Sequence, residues 1–228
     1  MNRQQSSLPS LIRAYVERNV PACVSPPNRI RLSQVGEMQL KPGRWTSFVA
    51  TQEGAVERVE FSWRARFRVA PLISMKVVDW YRAGGGGLTA RLWGLIPMMR
   101  GGGPEFAKGE AMRYLAELPW NPFAFVANRQ LGWRELDEQA VDASTRVGAA
   151  AVAVRLHFDA DGDIVGSSAD SRPRMVGKRT IDTPFSGRFA DYREIGGVRV
   201  PTRADVAWEL PEGPFPYFRG RITDLELG

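Results

Sequence analysis

The sequence predicts a mainly β (α+β) protein, with an antiparallel sheet of about ten strands, an N-terminal helix and a central helix. Three observations support this fold class. Apolar and polar residues alternate through most of the chain, as expected for strands with one buried face. Asp161-Gly162 and Gly196-Gly197 each join two alternating segments and are typical of tight hairpin turns. The connections are also too short for the crossovers that parallel strands require.

The first part of the chain is predicted to contain one helix and five strands. Apolar residues recur at helical spacing from Leu8 to Asn19 and Pro21 follows, which predicts a helix within residues 1–20. From residue 30 to residue 96 the period changes to two and indicates the first strands of the sheet. We assign these strands to residues 31–40, 45–52, 58–69, 72–82 and 88–95.

A helical segment is predicted over residues 104–129, because Pro104 follows three glycines and suits a first helical position. Spacing by three and four residues places four polar side chains on one face of this helix, namely Glu110, Arg113, Tyr114 and Glu117. The face is typical of solvent-exposed ion pairs, and it is also compatible with a site that points into the sheet. The sequence leaves both orientations open.

The remaining strands are predicted over residues 131–228. We assign them to residues 132–136, 140–145, 151–158, 163–169, 185–195, 198–210 and 217–227. No internal repeat or low-complexity linker divides the chain. Its 228 residues, 43% of them hydrophobic, can bury a sizeable core, so we expect a single domain over 1–228.

The composition argues against several kinds of protein. With one histidine and one cysteine, the chain cannot form a His-rich zinc site or an internal disulfide. We expect neither a metal nor a cofactor. The cysteine, Cys23, should be a small buried or loop residue. Residues 1–114 carry 17 basic and 8 acidic residues, but they are scattered through strands, so we expect no nucleic-acid partner. No apolar run is long enough for membrane insertion, and residues 1–10 lack a signal-peptide pattern, which favours a cytoplasmic protein. The sequence does not indicate an oligomeric state.

Asp79 is anomalous, because alternation places it on the apolar face of its strand. Val77, Asp79 and Tyr81 share that face. A carboxylate among apolar neighbours must be paired, hydrogen-bonded or protonated, and such groups are candidates for function. If the polar helix face turned inward, it would meet Asp79 and Tyr81.

Several motifs together resemble an uncharacterised bacterial family, a domain of unknown function. The most specific is the segment from Gly109 to Pro122, which reads Gly-Glu-x-x-Arg-Tyr-Leu-Ala-Glu-x-x-Trp-x-Pro. The resemblance spans about residues 30 to 225. The other motifs are Gly36-Glu37-Met38, Trp45 with Phe48 and Gln52, Phe61-Ser62-Trp63, and Asp79-Trp80-Tyr81.

The resemblance implies a curved antiparallel half-barrel with helices against its concave face, similar to that of the periplasmic lipoprotein carriers. Our first hypothesis is therefore a protein that binds a hydrophobic small molecule in an apolar cavity. The alternative is a cofactor-independent isomerase or cyclase. Its acid/base candidates are Asp79, Glu110 and Glu117. The candidate ligand-binding residues are Tyr81, Arg113, Tyr114, Trp63 and Trp120.

Overall fold

A computed structural model describes residues 8–21, 25–177 and 179–228, and within them thirteen strands form one antiparallel sheet. The mainly β antiparallel class is thus confirmed, with more strands than the ten or so predicted. The strands are β1 (Arg29–Lys41), β2 (Arg44–Ala55), β3 (Phe61–Ala70), β4 (Ile73–Arg82), β5 (Gly85–Leu92), β6 (Ile96–Gly102), β7 (Gly132–Asp137), β8 (Ala140–Val147), β9 (Ala150–Phe158), β10 (Ile164–Val176), β11 (Arg179–Ile195), β12 (Val198–Leu210) and β13 (Gly213–Leu227).

Neighbouring strands of the sheet are consecutive in the sequence and joined as hairpins, except at the centre of the sheet. The order is β6-β5-β4-β3-β2-β1-β13-β12-β11-β10-β9-β8-β7, so the first and last strands of the chain pair with each other. We call β1–β6 the N-terminal wing and β7–β13 the C-terminal wing. The edge strands are β6 and β7.

The helices are α1 (Ser10–Asn19), α2 (Pro104–Ala116) and α3 (Ala124–Ala127), with a 3₁₀ turn at Leu118–Trp120. Helix α2 contacts β4, β5 and β6 of one wing and β8 to β11 of the other. Strands so far apart in the sheet can touch one helix only if the sheet curls around it. The half-barrel with a central helix on its concave face is therefore confirmed. No helix within the described ranges is long and apolar enough to cross a membrane.

Alternation assigns the two faces of the N-terminal wing correctly. In β3, Phe61, Trp63 and Phe67 are buried on the concave side, whereas Arg64 and Arg66 are exposed on the convex side. Aromatic rings from neighbouring strands continue this core, as at the 5.5 Å separation of the Phe48 and Trp63 ring centroids.

The sequence prediction missed β6 and the adjoining ends of β10 and β11. Pro97 and Gly101 suggest a turn, yet an edge strand tolerates both residues because one of its sides has no ladder to complete. In β10 the register shifts between Ala169 and Arg172, and this bulge breaks the period of two on which the prediction depended. The expectation for Cys23 falls outside the described residues.

Candidate functional site

Helix α2 turns its charged side inward, which settles the orientation that the sequence left open. The Glu110 residue is 7% exposed, and the Arg113 side chain is 15% exposed. Glycine allows the close approach to β5, since a Cβ on Gly86 would lie 2.9 Å from the Cα of Ala107. The helix is thus held between the wings with its polar side chains directed into the concavity.

Arg113 is the centre of a buried polar network. Its Nη1 donates to the carboxylate of Asp79 on β4, and its Nε donates to Glu117 Oε1 at 2.8 Å. The guanidinium carbon also lies 5.0 Å from the ring centroid of Phe61 and 5.1 Å from that of Trp63, within range of cation–π attraction. Burial alone would lower the pKa of Arg113, but Glu117 and Asp79 raise it above its ordinary value, so the group stays charged.

The network continues into the sheet through two glutamines. Gln52 Nε2 on β2 donates to Glu117 Oε2 at 2.7 Å. Gln34 Oε1 on β1 accepts from Trp63 Nε1 at 2.8 Å, and its amide reaches Gln52 Oε1 at 3.5 Å. Both carboxyl oxygens of Glu117 therefore accept a hydrogen bond, one from Arg113 and one from Gln52.

Asp79 and Glu110 form a coupled pair of buried carboxyl groups. Burial and the neighbouring Asp79 raise the pKa of Glu110 well above its ordinary value. Burial also raises the pKa of Asp79, but Arg113 opposes this shift. Asp79 Oδ1 and Glu110 Oε2 receive no hydrogen bond from other described side chains. A proton held by one of the two carboxyl groups could be donated to the other, and the larger rise in pKa favours Glu110 as the group that carries it.

A pocket of about 250 Å³ lies between this network and the C-terminal wing. Asp79, Glu110, Arg113 and Glu117 form its polar side. Its other walls are mainly apolar and aromatic, and include Met38, Leu88, Met99, Phe106, Trp120, Phe185, Phe189, Trp208 and Phe218. The volume is slightly smaller than that of most small-molecule sites, which span roughly 300–1,000 Å³.

Arg172 on β10 also lines the pocket, and its positive charge acts to lower the pKa of Glu110 and Asp79. It is 8% exposed, and its Nε donates to the carbonyl oxygen of Gly109 at 3.2 Å. Its Nη1 donates to the Tyr217 hydroxyl at 3.4 Å, and its guanidinium carbon lies 5.2 Å from the Phe185 ring centroid. Among the described residues, no carboxylate oxygen lies within ion-pair distance of Arg172. A buried cation therefore lines the pocket without a contacting counter-ion.

Comparison with known proteins identifies the family. Residues 1–220 match a family described as "Family of unknown function (DUF6544)". The chain belongs to this family. No curated protein matches the chain. Among solved structures, it is similar to a LolA superfamily protein from Nitrosomonas europaea, with 10% sequence identity and a TM-score of 0.47 over 96% of this chain and 92% of that one.

The residues singled out in this DUF6544 sequence fall into two groups. Asp79, Glu110, Arg113, Glu117 and Trp120 all line the pocket. Trp120 is fixed there by its Nε1, which donates to the Pro201 carbonyl oxygen at 2.9 Å. The functional roles assigned to these residues stay predictions.

The other three candidates lie outside the pocket lining. Trp63 packs behind Arg113. Tyr81 is buried on the same face of β4 as Asp79. The Tyr114 hydroxyl donates to the Ala55 carbonyl oxygen at 3.2 Å and accepts from Asn128 Nδ2 at 3.0 Å. These bonds occupy Tyr114 in linking α2 to β2 and to the end of α3.

Sequence reasoning missed the C-terminal wall of the pocket. Arg172 follows the β10 bulge, where alternation gives no face, and it lies beyond the strand assigned to residues 163–169. Trp208 and Tyr217 were assigned to strands, but nothing local indicated that they stack on each other, with ring centroids 5.3 Å apart. The described residues contain no cluster of three or more side chains suited to hold a metal ion.

Proposed function

We propose that the protein binds a hydrophobic small molecule in the pocket between α2 and the C-terminal wing. The observation that carries the proposal is the pocket itself, which is mainly apolar, lies inside the curl of the sheet and has charged side chains from α2, β4 and β10 in its lining. Apolar walls with a few fixed polar groups are the usual form of a small-molecule site. A cytoplasmic location stays a prediction.

The arrangement of charges supports a ligand with one polar end. Arg172 lacks a contacting carboxylate, so a polar group of the ligand would find a cation there, while the aromatic walls contact its apolar body. Arg113 is already occupied by Asp79 and Glu117. Arg174 and Arg188 also line the pocket but are more exposed than Arg172. The buried Arg172 is therefore the residue that would select the polar group.

Binding without turnover is favoured over an isomerase or cyclase. Catalysis by Asp79 would require a base that is free to accept a proton, yet Arg113 neutralises this carboxylate and opposes its rise in pKa. Glu117 is likewise held by Arg113 and Gln52. The neighbouring Asp79 and Glu110 carboxyl groups are the feature of this pocket that favours acid/base chemistry.

Fluorescent probe binding tests the proposal. N-phenyl-1-naphthylamine is neutral and apolar, and anilinonaphthalene sulfonate carries the same rings with an added sulfonate. We expect saturable binding of both. Val206→Trp, which fills the pocket from β12, should weaken both probes at least about tenfold, since each tenfold corresponds to about 1.4 kcal/mol. Val165→Trp on β10, outside the pocket lining, is the matched control.

The Arg172→Met variant tests the contact with the polar end of the ligand separately from the apolar contacts. It should weaken the sulfonate probe and leave the neutral probe within about twofold, since methionine keeps most of the packing. Absence of saturable binding by either probe, or no effect of Val206→Trp, would refute the proposed function. Native mass spectrometry of the purified protein then tests whether a retained molecule is bound unchanged.

A further inference from the structure

Large apolar side chains project from two adjacent hairpin turns of the N-terminal wing. Leu72 in the β3–β4 turn is 99% exposed, and Trp93 and Leu95 in the β5–β6 turn are 49% and 79% exposed. Trp93 Nε1 donates to the Leu72 carbonyl oxygen at 3.2 Å, and the Trp93 backbone N–H donates to the Ser74 carbonyl oxygen at 2.8 Å. The two turns are thus tied into one surface, which we call the turn cluster (Leu72, Trp93 and Leu95).

The backbone of the turn cluster makes these residues unexpected. Leu72 and Trp93 have φ angles of 62° and 50°, in the left-handed region that bulky residues disfavour. Glycine occupies this conformation in other hairpins, at Gly43 and Gly148. Leucine at position 72 brings no burial within the chain to offset that strain. A contact outside the chain explains why a large apolar residue stands there.

The convex face beside the turn cluster is strongly basic. Between residues 61 and 104 the chain has seven basic residues and one acidic residue, the buried Asp79. Arg66, Lys76 and Arg91 are directly opposite one another in β3, β4 and β5, and all three are exposed. Like charges in this position destabilise a sheet, and no described carboxylate pairs with any of the three. An anionic partner would neutralise the row.

The exposed apolar surface continues from the turn cluster along the edge strand β6. Ile96, Met98 and Met99 are each about half exposed, and Arg100 follows them. Pro97 lacks an N–H group, so the edge is poorly suited to accept a further strand from a second copy. Met99 also lines the pocket, which places the pocket next to this surface.

We propose that the turn cluster and the basic convex face of the N-terminal wing dock the protein onto the surface of an anionic lipid bilayer. The apolar side chains enter the boundary between headgroups and acyl chains, where tryptophan is favoured, and the cations contact lipid phosphates. A nucleic acid would satisfy the cations but would leave the protruding aliphatic side chains without a partner. The proposal concerns adsorption to the bilayer surface, and it does not depend on the pocket.

Vesicle co-sedimentation tests the proposal. The wild type should bind vesicles of phosphatidylglycerol and phosphatidylcholine and bind pure phosphatidylcholine at least about tenfold more weakly, with binding lost at high salt. The double variant Arg66→Gln, Arg91→Gln should lower the affinity for the anionic vesicles about 25-fold, because the loss of each cation should lower it about fivefold. Leu72→Asn with Leu95→Ser should lower it about tenfold or more.

Two features of this experiment distinguish a loss of docking from a loss of folding. Asparagine tolerates a positive φ, so Leu72→Asn should keep or raise the melting temperature while it weakens vesicle binding. Ile181→Ser, at a residue 50% exposed on the C-terminal wing, and Arg193→Gln are matched controls that should leave binding unchanged.

Three outcomes would overturn the proposal. The first is equal binding to charged and uncharged vesicles, or an equal loss in the control variants. The second is a dimer that dissociates in the Leu72→Asn and Leu95→Ser variant, which would assign the surface to a second copy. The third is loss of vesicle binding in the charge variant alone, which would indicate a general polyanion such as nucleic acid.

Discussion

Replacing Arg113 with methionine is the most direct test of the buried network. Methionine is nearly as long as the aliphatic part of arginine and keeps apolar contact with Phe61 and Trp63, so the main change is the loss of one charge. Asp79 and Glu117 then remain without their cation, at side-chain exposures of 7% and 18%.

The expected loss of stability is large. Removing one partner of a buried ion pair costs about 3–5 kcal/mol, because the remaining charge stays desolvated. For a chain of this length, 1 kcal/mol corresponds to roughly 2–4 °C in melting temperature, so the melting temperature should fall by roughly 6–20 °C. An exposed pair is worth at most about 1 kcal/mol. Arg64→Met, which breaks the surface contact with Glu53, is therefore the matched control.

The loss should also depend on pH. Burial raises the pKa of Asp79 and Arg113 lowers it, so removal of Arg113 raises this pKa further. A carboxyl group whose pKa is higher in the folded than in the unfolded state destabilises the fold as pH rises through the folded-state value. The deficit of Arg113→Met should thus be smaller at about pH 5.5 than at about pH 7.5.

Urea unfolding followed by tryptophan fluorescence measures both effects. Arg113→Met combined with Asp79→Asn should recover about 1–3 kcal/mol of the loss, because the orphaned charge is removed. A cost below about 1 kcal/mol that is the same at both pH values would refute the reasoning, since it would mean that water reaches the network.

Three further variants test individual contacts. Glu110→Gln should be more stable than the wild type at about pH 8 and lose this advantage as pH falls. The raised pKa of Glu110 means that the wild type must take up a proton on folding at high pH, whereas the amide of glutamine can donate to Asp79 without one. Urea titrations at several pH values measure the difference, and a less stable variant at about pH 8 contradicts it. Gly86→Ala should cost about 1–3 kcal/mol by pushing α2 away, whereas Gly102→Ala, whose Cβ would have no atom nearer than 3.9 Å, should not, as thermal melting can show. Tyr114→Phe should cost about 1–3 kcal/mol in urea unfolding and leave the affinity for N-phenyl-1-naphthylamine unchanged, whereas a change in that affinity would argue for a role of this residue in binding.

Local patterns predict the strands of this fold but not its curl. Alternation identifies the buried face of β3 because successive side chains there are alternately buried, as Phe61 is, and exposed, as Arg64 is. The curl depends on contacts of α2 with strands of both wings, which no window of sequence contains. The edge strand β6 is missed for a related reason, since an edge tolerates Pro97 where a central strand would not.

The orientation of α2 could not be predicted because both of its sides are buried. A surface helix reveals its inner face by contrast with a polar outer face. In α2, Ala111 and Leu115 are buried on one side and Glu110 on another, so the contrast is absent. Asp79 was the usable signal, because a carboxylate on an otherwise apolar strand face requires a partner, and Arg113 is that partner.

The charged side chains that line the pocket are difficult to explain by their contribution to the stability of the fold alone. An apolar core of similar volume is often as stable as a buried ion pair or more stable, so Asp79, Arg113 and Glu117 cannot be assumed to stabilise the fold more than aliphatic residues would. Arg172 strengthens this argument, since its charge is desolvated without a contacting carboxylate. Charged groups that an apolar core could replace without loss of stability thus lie together around one pocket. This is the pattern expected where a site, rather than a core, determines the choice of residues.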